Sequence, residues 1–258
     1  MELVIDVGNS ETVLGVVHPG TLDLRDHWRL STTVPRTADE YGLLLRSLLR
    51  DGGISHDDLT MAVVGSVVPA TTRILTDSLE QILGEPPIVV NASSDLPIRL
   101  DVEEPLTVGA DRIVNTLAAK EMYGRDTIAV DLGTATTFDC ITADGVFVGG
   151  VIAPGLQSGL EWLGRKTAKL PRVELDPPAD VIGRRTEACI QSGVFYSAVD
   201  AVDGIVRRIL DEWQREDVYV VATGGYATIV GPHARTVNHI EPFLTLFGLA
   251  LAGRTIRG

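Results

Sequence analysis

A chain of 258 residues with 45% apolar side chains can bury the core of one large or two modest domains. Its formal charge of −13 excludes the broad basic surface that neutralises nucleic-acid phosphates, so an anionic ligand has to be met by local positive groups. The only cysteines, Cys140 and Cys189, have no metal-binding spacing and read as small core residues of a reduced compartment. No basic n-region precedes the strand over 1–7, and the apolar run over 244–252 is too short to span a bilayer. A cytoplasmic protein with no nucleic-acid and no membrane partner is expected.

In chain order, Leu3-Val-Ile-Asp-Val-Gly-Asn-Ser-Glu-Thr-Val-Leu-Gly-Val16 reads as a strand, a tight turn and its hairpin partner. A turn at His18-Pro-Gly-Thr21 leads to a third strand over 22–30. Thr37-Ala-Asp-Glu40 is a capping-box pattern, with Leu44, Leu45, Leu48 and Leu49 as the stripe behind it and Gly52-Gly53 as the stop. The Val-rich run 61–68 predicts a parallel strand buried on both faces, followed by a helix over 72–83 and a strand over 87–90. Residues 92–107, polar and without period, read as the crossing into a second half. After Gly109 comes a helix with Ile113, Leu117, Ala118 and Met122 on one face. A second hairpin follows over 128–141, then a strand over 146–152 and a helix from Pro154-Gly155 to about Lys169. The longest helical pattern runs over 186–213. A short strand over 218–222 ends in Thr223-Gly-Gly225, and a last helix lies near 242–252. Strands alternating with helices predict an α/β fold with domains over 1–111 and 112–258.

The second hairpin repeats the first. Aligning Asp6 with Asp131 sets Gly8 against Gly133 and Asn9-Ser10 against Thr134-Ala135, half a chain apart, which points to a duplicated domain. Glycine lets the backbone approach a ligand, turn N–H groups and hydroxyls can cradle phosphate, and an Asp at the strand end can hold a cation. One such turn alone is more often a plain hairpin corner; two at this spacing favour the ligand. The pair resembles the phosphate loops of the actin, hexokinase and chaperone-ATPase superfamily. That resemblance implies two duplicated actin-like (ribonuclease H-like) domains with an ATP cleft between them.

Further motifs run along the chain: Asp6-Val-Gly-Asn-Ser10, Gly109-Ala-Asp-Arg112 with Ile113-Val-Asn115, Asp131-Leu-Gly-Thr-Ala-Thr136, Pro154-Gly155, Thr167-Ala-Lys-Leu-Pro171, Gly183 with Thr186, Gln191-Ser-Gly193 and Thr223-Gly-Gly225. With these, the chain resembles the type III pantothenate kinase family. Each is weak alone; their order over almost the whole chain is specific. The resemblance implies phosphoryl transfer from ATP to the primary hydroxyl of pantothenate, with Asp6, Val7, Gly8, Asn9, Ser10, Glu11, Thr12 and Val13 at the ATP phosphates and Thr134 also contacting ATP. It implies Gly109, Ala110, Asp111, Arg112 and Thr186 at pantothenate, Asp111 as the base, and Asp131 as ligand of a monovalent cation, K+ or NH4+. Mg2+ accompanies ATP, and a homodimer is implied, with the 186–213 helix as a candidate interface.

Several of these residues admit plainer roles. Asp111 could cap a helix beginning near Arg112, Thr186 could cap the long helix, and Arg112 could make a surface ion pair. By strand alternation Ser10 and Thr12 share a face and Glu11 points the other way. A carboxylate aimed at triphosphate is repulsive, so Glu11 is expected to turn aside. Val102 stands where the family often has a tyrosine on the pantothenate side. The five histidines show no ligand pairing, and Trp28, Trp162 and Trp213 read as core or interface anchors. No Gly-x-Ser-x-Gly elbow and no Walker Gly-Lys-Ser/Thr occurs. The rival readings are a kinase of another small metabolite, such as an amino sugar, and a non-catalytic regulatory homologue.

Overall fold

A computed structural model describes residues 1–166, 171 and 173–258, so most of the Thr167-to-Pro171 motif and the expected helix end near Lys169 lie outside the described residues. The elements, in order, are β1 (Glu2–Val7), β2 (Glu11–Val17), β3 (Leu24–Ser31), α1 (Ala38–Asp51), β4 (Met61–Ser66), α2 (Pro69–Leu83), β5 (Ile88–Val90), β6 (Arg99–Leu100) and α3 (Ala110–Tyr123). Then come β7 (Thr127–Leu132), β8 (Ala135–Ile141), β9 (Val146–Pro154), α4 (Leu156–Lys166), α5 (Thr186–Trp213), β10 (Tyr219–Thr223), α6 (Ala227–Val230), β11 (His239–Ile240) and α7 (Leu244–Arg257). Among the described residues no helix is long and apolar enough to cross a membrane.

The chain divides into two compact units, Met1–Glu121 with Leu244–Gly258, and Met122–Phe243. The boundary expected at 111/112 falls inside α3, and the C-terminal helix joins the first unit.

In the first unit the strand order is β3-β2-β1-β4-β5, antiparallel from β3 to β1 and parallel from β1 to β5. One face packs Leu3, Ile5, Val7, Leu14 and Val16 against Leu45, Leu75 and Leu79 of α1 and α2. The capping box forms: Thr37 accepts from the Glu40 N–H, and Glu40 reaches back to the Thr37 N–H. The other face takes α7, whose Leu246 packs at Gly15 and Leu249 at Gly65. That explains why Val63 and Val64, successive and therefore on opposite faces, are both fully buried. Glu2 and Arg254 lock α7 to β1: Nε and Nη2 of Arg254 donate to the Glu2 carboxylate at 2.7–2.9 Å, and Nη2 also reaches the carbonyls of His18 and Thr21.

Within the second unit the strands run β11-β10-β7-β8-β9. The long helix α5 covers one face, setting Phe195, Val199, Val202 and Val206 on Ile128, Val130, Phe138 and Ala222. Asp203, almost buried on α5, accepts the Thr236 N–H and hydroxyl, each at 2.9 Å, and pairs with Arg207 at 3.2 Å. Burial pushes its carboxyl up, but the Thr236 and Arg235 N–H groups, the Thr236 hydroxyl and Arg207 outweigh burial and hold it below the ordinary aspartate value. A depressed native pKa stabilises the fold above the unfolded-state pKa and loses that contribution as pH falls through the native pKa. Asp203→Asn is therefore expected to cost about 1–3 kcal/mol at neutral pH, since hydrogen bonds to a charged group are the strong ones. The gap between the denaturation curves of wild type and variant should close below about pH 3.9. A gap that persists unchanged into acid would contradict this account.

The two hairpins are physical copies. β1 and β7 show the same succession of buried and half-buried residues, and so do β2 and β8. The copies are not aligned throughout by one offset, however. Val7 pairs with Thr12 while Leu132 pairs with Thr136, so the second turn is one residue shorter. The alignment of Gly8 with Gly133 holds entering the turn; leaving it, Thr12 corresponds to Thr136 and Ser10 to Thr134.

Candidate active site

In the first unit the β1–β2 turn is fixed by its own backbone. The Gly8 N–H donates to the Glu11 carbonyl at 3.0 Å, and the Thr32 N–H to the Ser10 carbonyl at 2.9 Å. Asp6 lies between Ile5 and Val7, both in the α1–α2 core, so it points to the opposite face. Asn9 is exposed and Ser10 half-buried. Thr12 behaves differently from the expectation that it shares the ligand-facing side with Ser10. It continues the Leu14–Val16 face, is buried, and shares a 2.8 Å hydrogen bond with the Thr32 hydroxyl. It props the loop from beneath. Ser10 belongs to the turn, where strand alternation no longer applies. The Glu11 carboxylate is exposed and paired with Arg29 at 2.7 Å.

The first turn of α3 carries the Gly109–Arg112 group. The helix begins at Ala110, so Asp111 sits inside the first turn, and its Oδ1 accepts the Arg112 N–H at 2.9 Å. Negative charge is favoured there by the unpaired N–H groups of a helix start. Gly109 has a steric reason: a Cβ would overlap Asp111 Oδ1, with the Val67 side chain 3.4 Å away. Ala110 and Ile113 are buried and anchor the turn, while Asp111 and Arg112 remain half-exposed.

In the second unit Asp131 is the one half-buried residue of β7 and points away from the α5 core that holds Val130 and Leu132. The following turn closes with the Gly133 N–H on the Ala135 carbonyl at 3.0 Å. Thr134 is exposed, and its carbonyl accepts the Ser158 hydroxyl at 3.2 Å. Gly155 lies directly on this turn, where a Cβ would overlap the carbonyls of Gly133 and Thr134. Gly224, at φ +89°, passes so close to Asp131 that a Cβ would overlap Oδ1. Close backbone approach is thus the reason for glycine at both positions.

Thr186 is the first residue of α5, with Arg185 at the cap position, so it is not the N-cap. It lines a pocket of about 680 Å³ between β8, β9, α4 and α5, whose walls include Phe138, Leu156, Trp162, Ile190 and Val194. Cys189 also lines this pocket and is exposed, contrary to its reading as a core residue; the stripe of α5 that packs on the sheet runs through Ile190 and Phe195 instead. The pocket was not legible in the sequence, because its apolar walls have the same pattern as ordinary core. Trp162 is 61% exposed on α4, which removes the core reading for that residue.

The family profile described as type III pantothenate kinase matches residues 2–208. A type III pantothenate kinase of Moorella thermoacetica is 44% identical over 253 residues, covering 97% of this chain and 98% of that one. One of Syntrophotalea carbinolica is 45% identical over 251 residues, covering 97% of each. Among solved structures, component A of the Acidaminococcus fermentans (R)-2-hydroxyglutaryl-CoA dehydratase superposes with a TM-score of 0.55 at 14% identity over 99% of this chain and 96% of that one. A ROK-family glucokinase of Streptomyces griseus, solved with glucose and AMPPNP, gives 0.52 at 14% identity over 99% of both. At such identities these two structures bear on the fold alone, and they place it with the actin-like ATPase and sugar-kinase folds.

Proposed function

We propose the following residue roles for this chain, which belongs to the type III pantothenate kinase family and carries out that family's ATP-dependent phosphorylation of pantothenate. Asp111 accepts the proton of the primary hydroxyl of pantothenate. The observation that carries this role is the Asp111 carboxylate, half-exposed at the start of α3 and fixed by the Arg112 N–H, where a side chain at position 109 would push it aside. In a loose phosphoryl-transfer transition state the nucleophile needs little early deprotonation. A positioned carboxylate that orients the hydroxyl and takes its proton late is sufficient. Arg112 supplies the forked donor for the pantothenate carboxylate, and Thr186 contributes a hydroxyl to the same substrate.

The loop from Asp6 to Val13 meets the ATP phosphates through Gly8, Asn9 and Ser10, with Thr12 bracing it through Thr32 and Glu11 held aside by Arg29. Thr134, which corresponds to Ser10 across the duplication, contacts ATP from the second hairpin. The family works with ATP and a divalent metal, which neutralises charge developing on the transferred phosphoryl group. Asp131 holds a monovalent cation, K+ or NH4+, and the site fits one: a half-buried carboxylate next to Gly224, whose missing Cβ leaves it space. The assembly is a homodimer, supported by Trp162 and Ile182, which are 61% and 82% exposed on the second unit. Cytoplasmic residence is supported by two free cysteines.

The test is a coupled ADP-release assay with Mg-ATP and pantothenate in potassium and in sodium buffer, on a sample whose mass is read by light scattering. Turnover that requires pantothenate and rises with potassium, from a dimer, is expected. Equal turnover in both salts would remove the cation role of Asp131, and a monomeric mass would remove the dimer.

A further inference from the structure

Thr223 is fully buried at the end of β10, and its hydroxyl has no hydrogen-bond partner among the described residues. Buried hydroxyls are rarely left so, and one that is calls for an ordered water, a ligand or an ion. Its surroundings identify which. β10 runs parallel to β7 with Thr223 in register with Asp131. The neighbours Ala222, Val130 and Leu132 all point into the α5 core, so Thr223 and Asp131 lie side by side on the opposite face. The next residue, Gly224, is the one whose missing Cβ makes space for Asp131 Oδ1. The orphan hydroxyl and the carboxylate therefore stand at neighbouring positions on one face of the sheet, beside a glycine with φ +89°.

We propose that the Thr223 hydroxyl is a ligand of the monovalent cation, beside the Asp131 carboxylate. The proposal rests on the reading of Asp131 as the cation ligand. A large, weakly hydrated cation takes carboxylate, hydroxyl and carbonyl oxygens together, and a hydroxyl ligates it through an oxygen lone pair. The hydroxyl also gives Thr223 a reason that strand propensity does not, since valine would fill this strand position equally well. In this arrangement the Thr223-Gly224 pair forms half of the cation site, Thr223 by ligation and Gly224 by leaving room.

The test uses the full chain and needs no turnover. The thermal midpoint is followed against KCl, with ionic strength held by tetramethylammonium chloride and a parallel NaCl series, for wild type, Thr223→Val, Thr223→Ser, Thr223→Ala and Asp131→Asn. A cation that binds only the folded protein raises the midpoint by mass action. In wild type K+ is expected to raise it. Thr223→Val is expected to weaken the apparent K+ constant about 10–100-fold, the range seen when the support of a metal site is lost. Thr223→Ser should stay near wild type. The midpoint without K+ reports folding separately, and Val should not lower it, because an unpartnered buried hydroxyl contributes no hydrogen bond there. If Val does disturb the fold, Ala carries the same comparison. A K+ response in Thr223→Val and Thr223→Ala equal to wild type, with the response lost in Asp131→Asn, overturns the role of Thr223 and leaves Asp131 standing. No response in any protein, wild type included, overturns both.

Discussion

Asp111→Asn is expected to lower kcat by about 10²–10⁴-fold, the usual worth of a positioned general acid or base, or about 3–5 kcal/mol in the barrier. The substitution isolates the chemistry. Asparagine keeps the shape, and its carbonyl can still accept the Arg112 N–H that Asp111 Oδ1 now accepts at 2.9 Å. The first turn of α3 and the position of Arg112 should therefore survive, and the KM for pantothenate should change by less than about threefold if the carboxylate acts in the transition state and not in substrate binding. What is lost is the site that receives the hydroxyl proton and the charge that orients it. Steady-state kinetics in both substrates, with a thermal midpoint to certify folding, decide the matter. A folded variant within about tenfold of wild-type kcat would show that Asp111 is a helix-start carboxylate and that proton transfer lies elsewhere.

Much of this arrangement can be read from the chain before any coordinates. The capping box at Thr37 and Glu40 forms as its residues require, because it is a local interaction that the sequence spacing alone determines. The duplication is legible because Asp-x-Gly recurs within the same hydrophobic frame. Its one-residue offset is not, since a turn can be shortened without changing the pattern of either flanking strand. The burial of Thr12 is not legible either, since its hydroxyl partner Thr32 stands 20 positions away in the sequence. The assignment of α7 to the first unit was equally hidden. An apolar helix carries no mark of which sheet it will cover, and the deciding contacts, Leu246 at Gly15 and Leu249 at Gly65, join positions more than half the chain apart. The exposure of Cys189 is hidden in the same way, because a helix face lining an open pocket has the same apolar character as one lining a closed core.

The helix that the sequence could not place is also the one whose loss should cost most stability. Arg254→Ala is expected to destabilise the first unit by about 3–5 kcal/mol, the cost of breaking a buried pair from one side. The Glu2 side chain is only 6% exposed and the Arg254 side chain 24% exposed, so removing the guanidinium strands a carboxylate that water reaches poorly. The same guanidinium serves the carbonyls of His18 and Thr21, so the turn between β2 and β3 is released as well. Against a total of about 5–15 kcal/mol for a domain, this is a large fraction. A fall in thermal midpoint of roughly 10–20 °C is the expected reading for a unit of this size. Replacing both partners, as Glu2→Leu with Arg254→Met, should recover most of the loss, because the cost lies in the unpaired charge and not in the absence of the pair. If the double variant is no more stable than Arg254→Ala, the bridge itself holds α7 in place. The effect should reach activity too. At Gly65 the α7 residue Leu249 and the α3 residue Ala110 meet over the same strand. Loosening α7 therefore removes support from beneath both β1, which carries the Asp6 loop, and the turn that presents Asp111, so kcat should fall in Arg254→Ala well below its melting range and return with the double variant.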